Sequence, residues 1–313
     1  MLRVERGRLD ADSGGMMQID AHQHFWRYDA AEYGWIDDAM VALRRDFLPA
    51  ESAAEMAAAG VGACIAVQVR QTLEETRWLL ALADAHPSIA GVVGWVDLQA
   101  GADRVRSQLE TFAPHPKFVG VRHIVQAEPD DRFLVRPQVL EGLAVLDEFG
   151  LAFDLLVYRH QLPAAIDCVG RLPHQRFVLD HLAKPDIRGG GIDAWERDIR
   201  RLAACPNVFA KVSGLITEAD WRSWTPEQIR PYLDVAFDAF GVDRLIAGSD
   251  WPVCLVAGSY RRTMDVVRDY IAPRPAHEQD AILGGNAQDF WRLKDHDAHD
   301  ARGDRAAAVR GRV

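Results

Sequence analysis

Eight short apolar runs, each followed by a stretch with helical spacing, constrain this chain more than any other feature. They span 18–25, 63–69, 91–98, 118–124, 151–157, 176–181, 208–212 and 244–250. Such alternation marks βαβ units around a parallel sheet, and eight strands are the number that closes a barrel. No Pro/Ser-rich linker or break in composition divides the series, so one α/β domain, a single (β/α)8 TIM-like barrel over 16–293, is expected. The flanks, 1–15 and 294–313, are rich in charged and small residues and read as a disordered leader and tail. Helix starts are legible between the runs. Ser52 with Glu55 and Thr72 with Glu75 have capping-box spacing, Asp193 stands three residues before Glu196, and Thr225-Pro226-Glu227-Gln228 combines an N-cap, a first-turn proline and a glutamine.

A parallel strand buried on both faces should be almost wholly apolar, so a polar residue near its end needs a reason. Here the runs end in or near His24, Gln68, Asp97, His123, Asp154, His181, Lys211 and Asp250. Any one of them could cap a helix or pair with a neighbour. Taken together they converge on the C-terminal rim of the barrel, where active sites of this architecture lie.

Within the first run, His22 and His24 are two apart, which turns both imidazoles to one face, with Asp20 one step deeper and Ile19 and Ala21 facing away. Two imidazoles on one face can ligate a metal or polarise a carbonyl, although such a pair can equally be packed or surface histidines. Asp250, a carboxylate at a strand end opposite several imidazoles, can hold a metal and move protons; its plainer role is an N-cap. His181 breaks from an apolar strand into a polar loop and reads as a site residue or a satisfied core histidine.

Composition narrows the partners. The chain has 313 residues, 49% of them apolar, and a formal charge of −10 (36 basic against 46 acidic), with a pI near 5.6. That balance speaks against a protein that tracks nucleic-acid phosphates. No run approaches the roughly 18 consecutive apolar residues of a membrane helix. Four scattered cysteines, at 64, 168, 205 and 254, fit reduced thiols in the cytoplasm. The aromatic and acidic stretch from Trp26 to Pro49, with Tyr28, Tyr33, Trp35 and Asp37, is long enough for a substrate-facing flap.

With these residues in place, the chain resembles the amidohydrolase superfamily, and within it the sugar-lactone hydrolases of the L-fuconolactonase and L-rhamnonolactonase group. The likeness is carried, in order along almost the whole chain, by Ile19-Asp20-Ala21-His22-Gln23-His24-Phe25-Trp26, Gly120-Val121-Arg122-His123, Val178-Leu179-Asp180-His181-Leu182-Ala183-Lys184-Pro185, Lys211-Val212-Ser213-Gly214-Leu215 and Gly248-Ser249-Asp250-Trp251-Pro252. The combination is specific, though no single piece of it is.

The resemblance implies a distorted barrel that opens a cyclic ester with water. It maps metal ligands onto His22, His24 and Asp250, with His181 and Asp154 as further candidates. One divalent ion is implied, zinc first and manganese second, weakly held or dispensable; a two-metal centre is not expected. Asp250 would take the proton from water and return it to the leaving alkoxide, while His181 helps to polarise the carbonyl. Trp26, Trp35, Gln68, Asp97, His123, Lys211 and Trp251 are the candidate substrate contacts. A small sugar lactone is the expected partner, self-association stays open, and a role in L-fucose catabolism follows from the likeness. The rival readings are hydrolysis of a dicarboxylate lactone, decarboxylation or amide hydrolysis on the same barrel, and a non-catalytic sugar-binding barrel.

Overall fold

A computed structural model describes residues 16–293. The expected leader at 1–15 and tail at 294–313 lie outside the described residues. A strand falls on each of the eight apolar runs, the third beginning two residues early and ending at Gly94: β1 (Ile19–Gln23), β2 (Ala63–Val67), β3 (Ile89–Gly94), β4 (Phe118–His123), β5 (Ala152–Leu155), β6 (Phe177–Leu179), β7 (Val208–Val212) and β8 (Leu245–Ala247). They pair in parallel and in chain order, from β1 through to β8. Beyond the ends of β1 and β8 the circle closes through Asp250 N to His22 O (2.9 Å) and His24 N to Trp251 O (2.7 Å). The fold is the (β/α)8 barrel that the alternation predicts.

Among the described residues ten α-helices accompany the strands: α1 (Pro49–Ala58), α2 (Leu73–Ala85), α3 (Ala102–Phe112), α4 (Pro137–Glu148), α5 (Leu162–Arg171), α6 (Asp193–Ala203), α7 (Pro226–Phe240), α8 (Tyr260–Ile271), α9 (Ala276–Asp280) and α10 (Asn286–Trp291). Alternation along the strands makes two cores. Ile19, Ala21, Ile65, Val93, Val119, Ala152, Val178 and Ile246 fill the barrel interior. Cys64, Ala66, Val92, Val121, Phe153, Leu179 and Leu245 point outward, into the layer shared with the helices. Burying one such large aliphatic or aromatic side chain is worth about 1.5–3 kcal/mol. Phe290 and Trp291 of α10 plug the interior at the N-terminal ends of the strands, where Arg176 donates to the carbonyls of Phe290 and Gly150.

The helix signals hold at Thr72, whose hydroxyl accepts from Glu75 N at 3.1 Å, and at the reciprocal Thr225/Gln228 box. They fail at Ser52. The helix there begins earlier, with Pro49 in its first turn, and Ser52 instead sits buried with its hydroxyl donating to Gln23 Oε1. At α6 Asp193 is the first helical residue and Ile192 holds the cap position.

Candidate active site

The His-x-His stretch is not a regular strand. Asp20 pairs with Cys64 and Gln23 with Ala66, so β1 spends one residue more than β2 between these points. This β-bulge changes which side chains share a face. Ile19 and Ala21 belong to the interior, and His22 follows Ala21 inward, where it meets Lys211 and Asp180. Asp20 and Gln23 lie on the outer face, bonded to each other at 2.7 Å. Simple alternation predicted His22, His24 and Asp20 on one face with Ile19 and Ala21 opposite; the bulge overturns that for Asp20, Ile19 and Ala21 while keeping the two histidines together.

At the mouth the four proposed central residues meet. Asp250 Oδ1 lies 3.3 Å from His24 Nε2 and 3.8 Å from the Nε2 atoms of both His22 and His181. All four are at least 95% buried. Two of them stand on backbone that side chains rarely adopt. Asp250 has φ +60°, and His181, Leu182, Ala183 and Lys184 form a left-handed turn with φ between 50° and 58°. Left-handed backbone costs about 1–2 kcal/mol per residue. Burial of Leu182 and Ala183, the Trp195 Nε1 bond to Leu182 O (2.7 Å) and the Lys184 N bond to His181 O (2.9 Å) hold the turn in place. Gly214 leaves room for the ring that results, because a Cβ on it would stand 2.5 Å from His181 Nδ1.

Each imidazole is oriented from behind. His24 Nδ1 meets Val67 O at 2.8 Å, His181 Nδ1 meets Ser213 Oγ at 2.9 Å, and His22 Nδ1 lies 3.4 Å from Asp180 Oδ1. Burial lowers the pKa of His181 to about 4 and that of His22 well below its ordinary value, so both rings are neutral near pH 7. Burial pushes Asp250 the other way, yet the facing imidazoles outweigh it and hold the carboxyl below the usual carboxylate range.

Beneath the histidines runs a buried ionic ladder. Lys211 Nζ bonds Asp154 Oδ2 and lies 2.9 Å from Asp180 Oδ1, over the Trp291 ring. Arg122 Nη1 reaches Asp180 Oδ2 (3.1 Å) and His22 Nε2 (3.2 Å), and its Nη2 bonds Gln68 O. Burial opposes the charge on Asp180, but Lys211, His22 and Arg122 together hold its carboxyl far down.

The ladder corrects several expectations. Asp154 is bonded to Lys211 and stands outside the group of ligand atoms at the mouth. Lys211 is fully buried under the histidines, out of reach of a substrate. Gln68 is buried too and serves Arg122. His123 faces away from the cluster; its Nε2 lies 2.7 Å from Glu128 and its ring stacks on Phe133. Trp26 and Trp251 are buried against Phe47, leaving no ring face for a sugar. Asp97 caps the turn before α3 by accepting from Gln99 N. Of the seven proposed contacts only Trp35 keeps an exposed ring, at 43%.

Sequence reasoning missed Asp180, Ser213 and the role of Arg122. Asp180 carried a signal, since it is an acid closing an apolar strand. Strict alternation sets it on the face opposite His181, and only the left-handed turn brings both inward.

The amidohydrolase family model matches residues 19–293. The chain belongs to the amidohydrolase family. An L-fucono-1,5-lactonase of Burkholderia multivorans is 42% identical over 292 residues, covering 89% of this chain and 97% of that protein. A second L-fucono-1,5-lactonase, from Burkholderia ambifaria, is 38% identical over 289 residues, covering 88% and 96%. The crystal structure of a B. multivorans amidohydrolase with bound zinc is similar with a TM-score of 0.84 at 40% identity, covering 89% of this chain and 100% of that one.

In this amidohydrolase the donor set fits one divalent cation. His22, His181 and Asp250 offer ligand atoms within 4.8 Å of one another, and His24 Nε2 faces the same carboxylate oxygen. The far nitrogens of the rings are already engaged, which is how ligating imidazoles are oriented. Against this, Arg122 Nη1 approaches the same Nε2 of His22 that a cation would use. Deeper in the barrel Lys211 bridges Asp154 and Asp180, so these two carboxylates already share a cation.

Proposed function

We propose that this chain hydrolyses a neutral sugar lactone of the L-fucono-1,5-lactone kind to the open-chain acid. The observation that carries the reading is one carboxylate, Asp250, facing three imidazoles within 3.8 Å at the mouth of the barrel. The two L-fucono-1,5-lactonases that match nearly the whole chain supply the substrate class.

The residues divide the work of ester hydrolysis. Asp250, ionised at neutral pH, accepts a proton from the attacking water and returns it to the departing ring oxygen. Ser213 can donate to or accept from His181 Nδ1. When it donates, His181 carries its proton on Nε2 and gives a hydrogen bond to the carbonyl oxygen; such a donor is worth about 3–4 kcal/mol in the transition state. When Ser213 accepts, the Nε2 lone pair is free to ligate. A divalent ion held by His22, His24, His181 and Asp250, zinc before manganese, would act as a Lewis acid on the carbonyl. The competing guanidinium of Arg122 makes that ion weakly held.

Charge at the mouth favours an uncharged substrate. Lys184 lies 3.9 Å from Glu218, Arg70 pairs with Glu32, and Arg122 with Asp180. Each of these cations faces a carboxylate, so a dicarboxylate lactone ranks below an aldonolactone. Trp35 offers the ring against which a sugar packs. The thiols of Cys64, Cys168 and Cys254, free and buried, suit a cytoplasmic enzyme of carbohydrate breakdown.

Proton release followed with a pH indicator across L- and D-aldonolactones and a pyrone dicarboxylate, beside aromatic acids and amides followed by separation of substrate and product, tests the reading. Fastest turnover on an L-aldonolactone is the expected result. Turnover confined to decarboxylation or amide cleavage would replace it. Chelation followed by zinc or manganese is expected to lower and then restore the rate.

A further inference from the structure

Asp20 is fully buried on the outer face of β1, turned away from the mouth. Its carboxylate nevertheless accepts four hydrogen bonds, two from β1 and two from the segment that follows β8. Oδ1 takes the backbone amides of His22 (3.1 Å) and Ser249 (2.8 Å). Oδ2 takes Gln23 Nε2 (2.7 Å) and the Ser249 hydroxyl (2.5 Å). Around this centre Ser52 donates to Gln23 Oε1, and Trp251 N donates to Ser249 Oγ at 2.9 Å.

The position matters because β1 and β8 are the two ends of the sheet. Their seam carries few backbone bonds, and two segments there leave regular pairing: the bulge between Asp20 and Gln23, and the left-handed Asp250. Each strands an amide, that of His22 and that of Ser249, which a buried chain must satisfy. One carboxylate oxygen satisfies both. The donors are neighbours of the catalytic groups: His22 itself on one side, and the residue before Asp250 on the other.

We infer that Asp20 is a positioning residue for the reaction: by clamping the amides of His22 and Ser249 to Oδ1 and the Ser249 hydroxyl to Oδ2, it sets the separation between the His22/His24 imidazoles and the Asp250 carboxylate. The inference rests on the lactone-hydrolase reading for its kinetic consequence and on the geometry alone for its structural one. A displacement of about 1 Å in such a constellation can lower turnover about 100-fold.

Asp20→Ala removes all four acceptor contacts. Asp20→Asn keeps Oδ1 for both amides, and its NH2 can donate to Ser249 Oγ in reversal of the parent bond and to Gln23 Oε1 once that amide flips, with Ser52 then accepting instead. Leu109→Ala, in the buried face of α3 far from the seam, is the control for a purely structural loss of stability. Expected on the best aldonolactone, well below every melting temperature, is a kcat about 100-fold down in Asp20→Ala with KM within about threefold, recovery to within about tenfold in Asp20→Asn, and a parental kcat in Leu109→Ala. A kcat in Asp20→Ala no lower than in Leu109→Ala, or no recovery in Asp20→Asn, overturns the inference. If Asp20→Ala does not fold, Ser249→Ala decides. Loss of that one hydroxyl should lower kcat several-fold at constant KM, and an unchanged kcat overturns the clamp. If the parent turns over no lactone, the functional reading fails by itself, and crystal structures of parent and Asp20→Asn or Ser249→Ala still test the clamp. The 3.3 Å contact of His24 with Asp250 should be kept in Asp20→Asn and lengthened in Ser249→Ala, and the same contact distance in Ser249→Ala as in the parent counts against it.

Discussion

Gly214 lies against the ring of His181: a Cβ added to it would come within 2.5 Å of Nδ1 and 2.8 Å of Cγ. Its own backbone, at φ +63°, is also one that side chains rarely take. Gly214→Ala must therefore push the imidazole off Asp250 and adopt a strained conformation. The expected result is a fall in kcat/KM of about 100-fold with about 1 kcal/mol of lost stability, read from indicator assays and urea melts.

Asp250 stands at φ +60°, where Asn is tolerated about as well as Asp. Asp250→Asn is expected to leave the circular-dichroism melt close to that of the parent and to abolish turnover, because an amide cannot take the proton from water. Retained turnover would remove Asp250 as the base.

Lys211 bridges two buried carboxylates. Lys211→Met strands both, and breaking a buried pair from one side costs on the order of 3–5 kcal/mol. Adding Asp154→Asn should recover part of that loss, and denaturant unfolding of the single and double variants measures it. Equal stability of the two variants would show that Asp154 does not depend on Lys211.

Glu75 is buried at the start of α2, accepting from the amides of Val69 (3.0 Å) and Arg70 (2.6 Å) with one oxygen. Burial raises its pKa from 4.5 to about 7. A carboxyl whose folded pKa is raised favours the folded state fully below its unfolded pKa and loses that contribution as pH climbs through the folded one. The parent should thus lose stability through this group between about pH 4.5 and 7. Glu75→Gln keeps the acceptor and cannot ionise. Its stability relative to the parent should rise across that window by on the order of 3 kcal/mol, measured by thermal melts at stepped pH.

Much of the molecule was legible because barrels advertise themselves locally. Apolar runs of strand length, helix caps at Thr72 and Thr225 and polar residues at strand ends each depend on neighbours a few positions away. His22, His24, His181 and Asp250 were found in that way, and their meeting follows from a parallel barrel delivering every strand end to one rim.

What the chain order could not reveal is which of two neighbours faces inward. A one-residue bulge in β1 puts Asp20 outside and His22 inside, and a left-handed turn admits Asp180 together with His181. Such departures from alternation are decided by the seam between β1 and β8 and by packing against distant residues such as Gly214 and Ser249. Burial was decided in the same way: Lys211, Gln68, Trp26 and Trp251 read as substrate contacts because they end strands or open loops, and only the closed barrel shows them covered. The sequence by itself determined the architecture and the polar groups that gather at the mouth, since those depend on local periodicity and residue type. The tertiary structure alone decided their facing and their partners, because both depend on contacts between residues far apart in the chain.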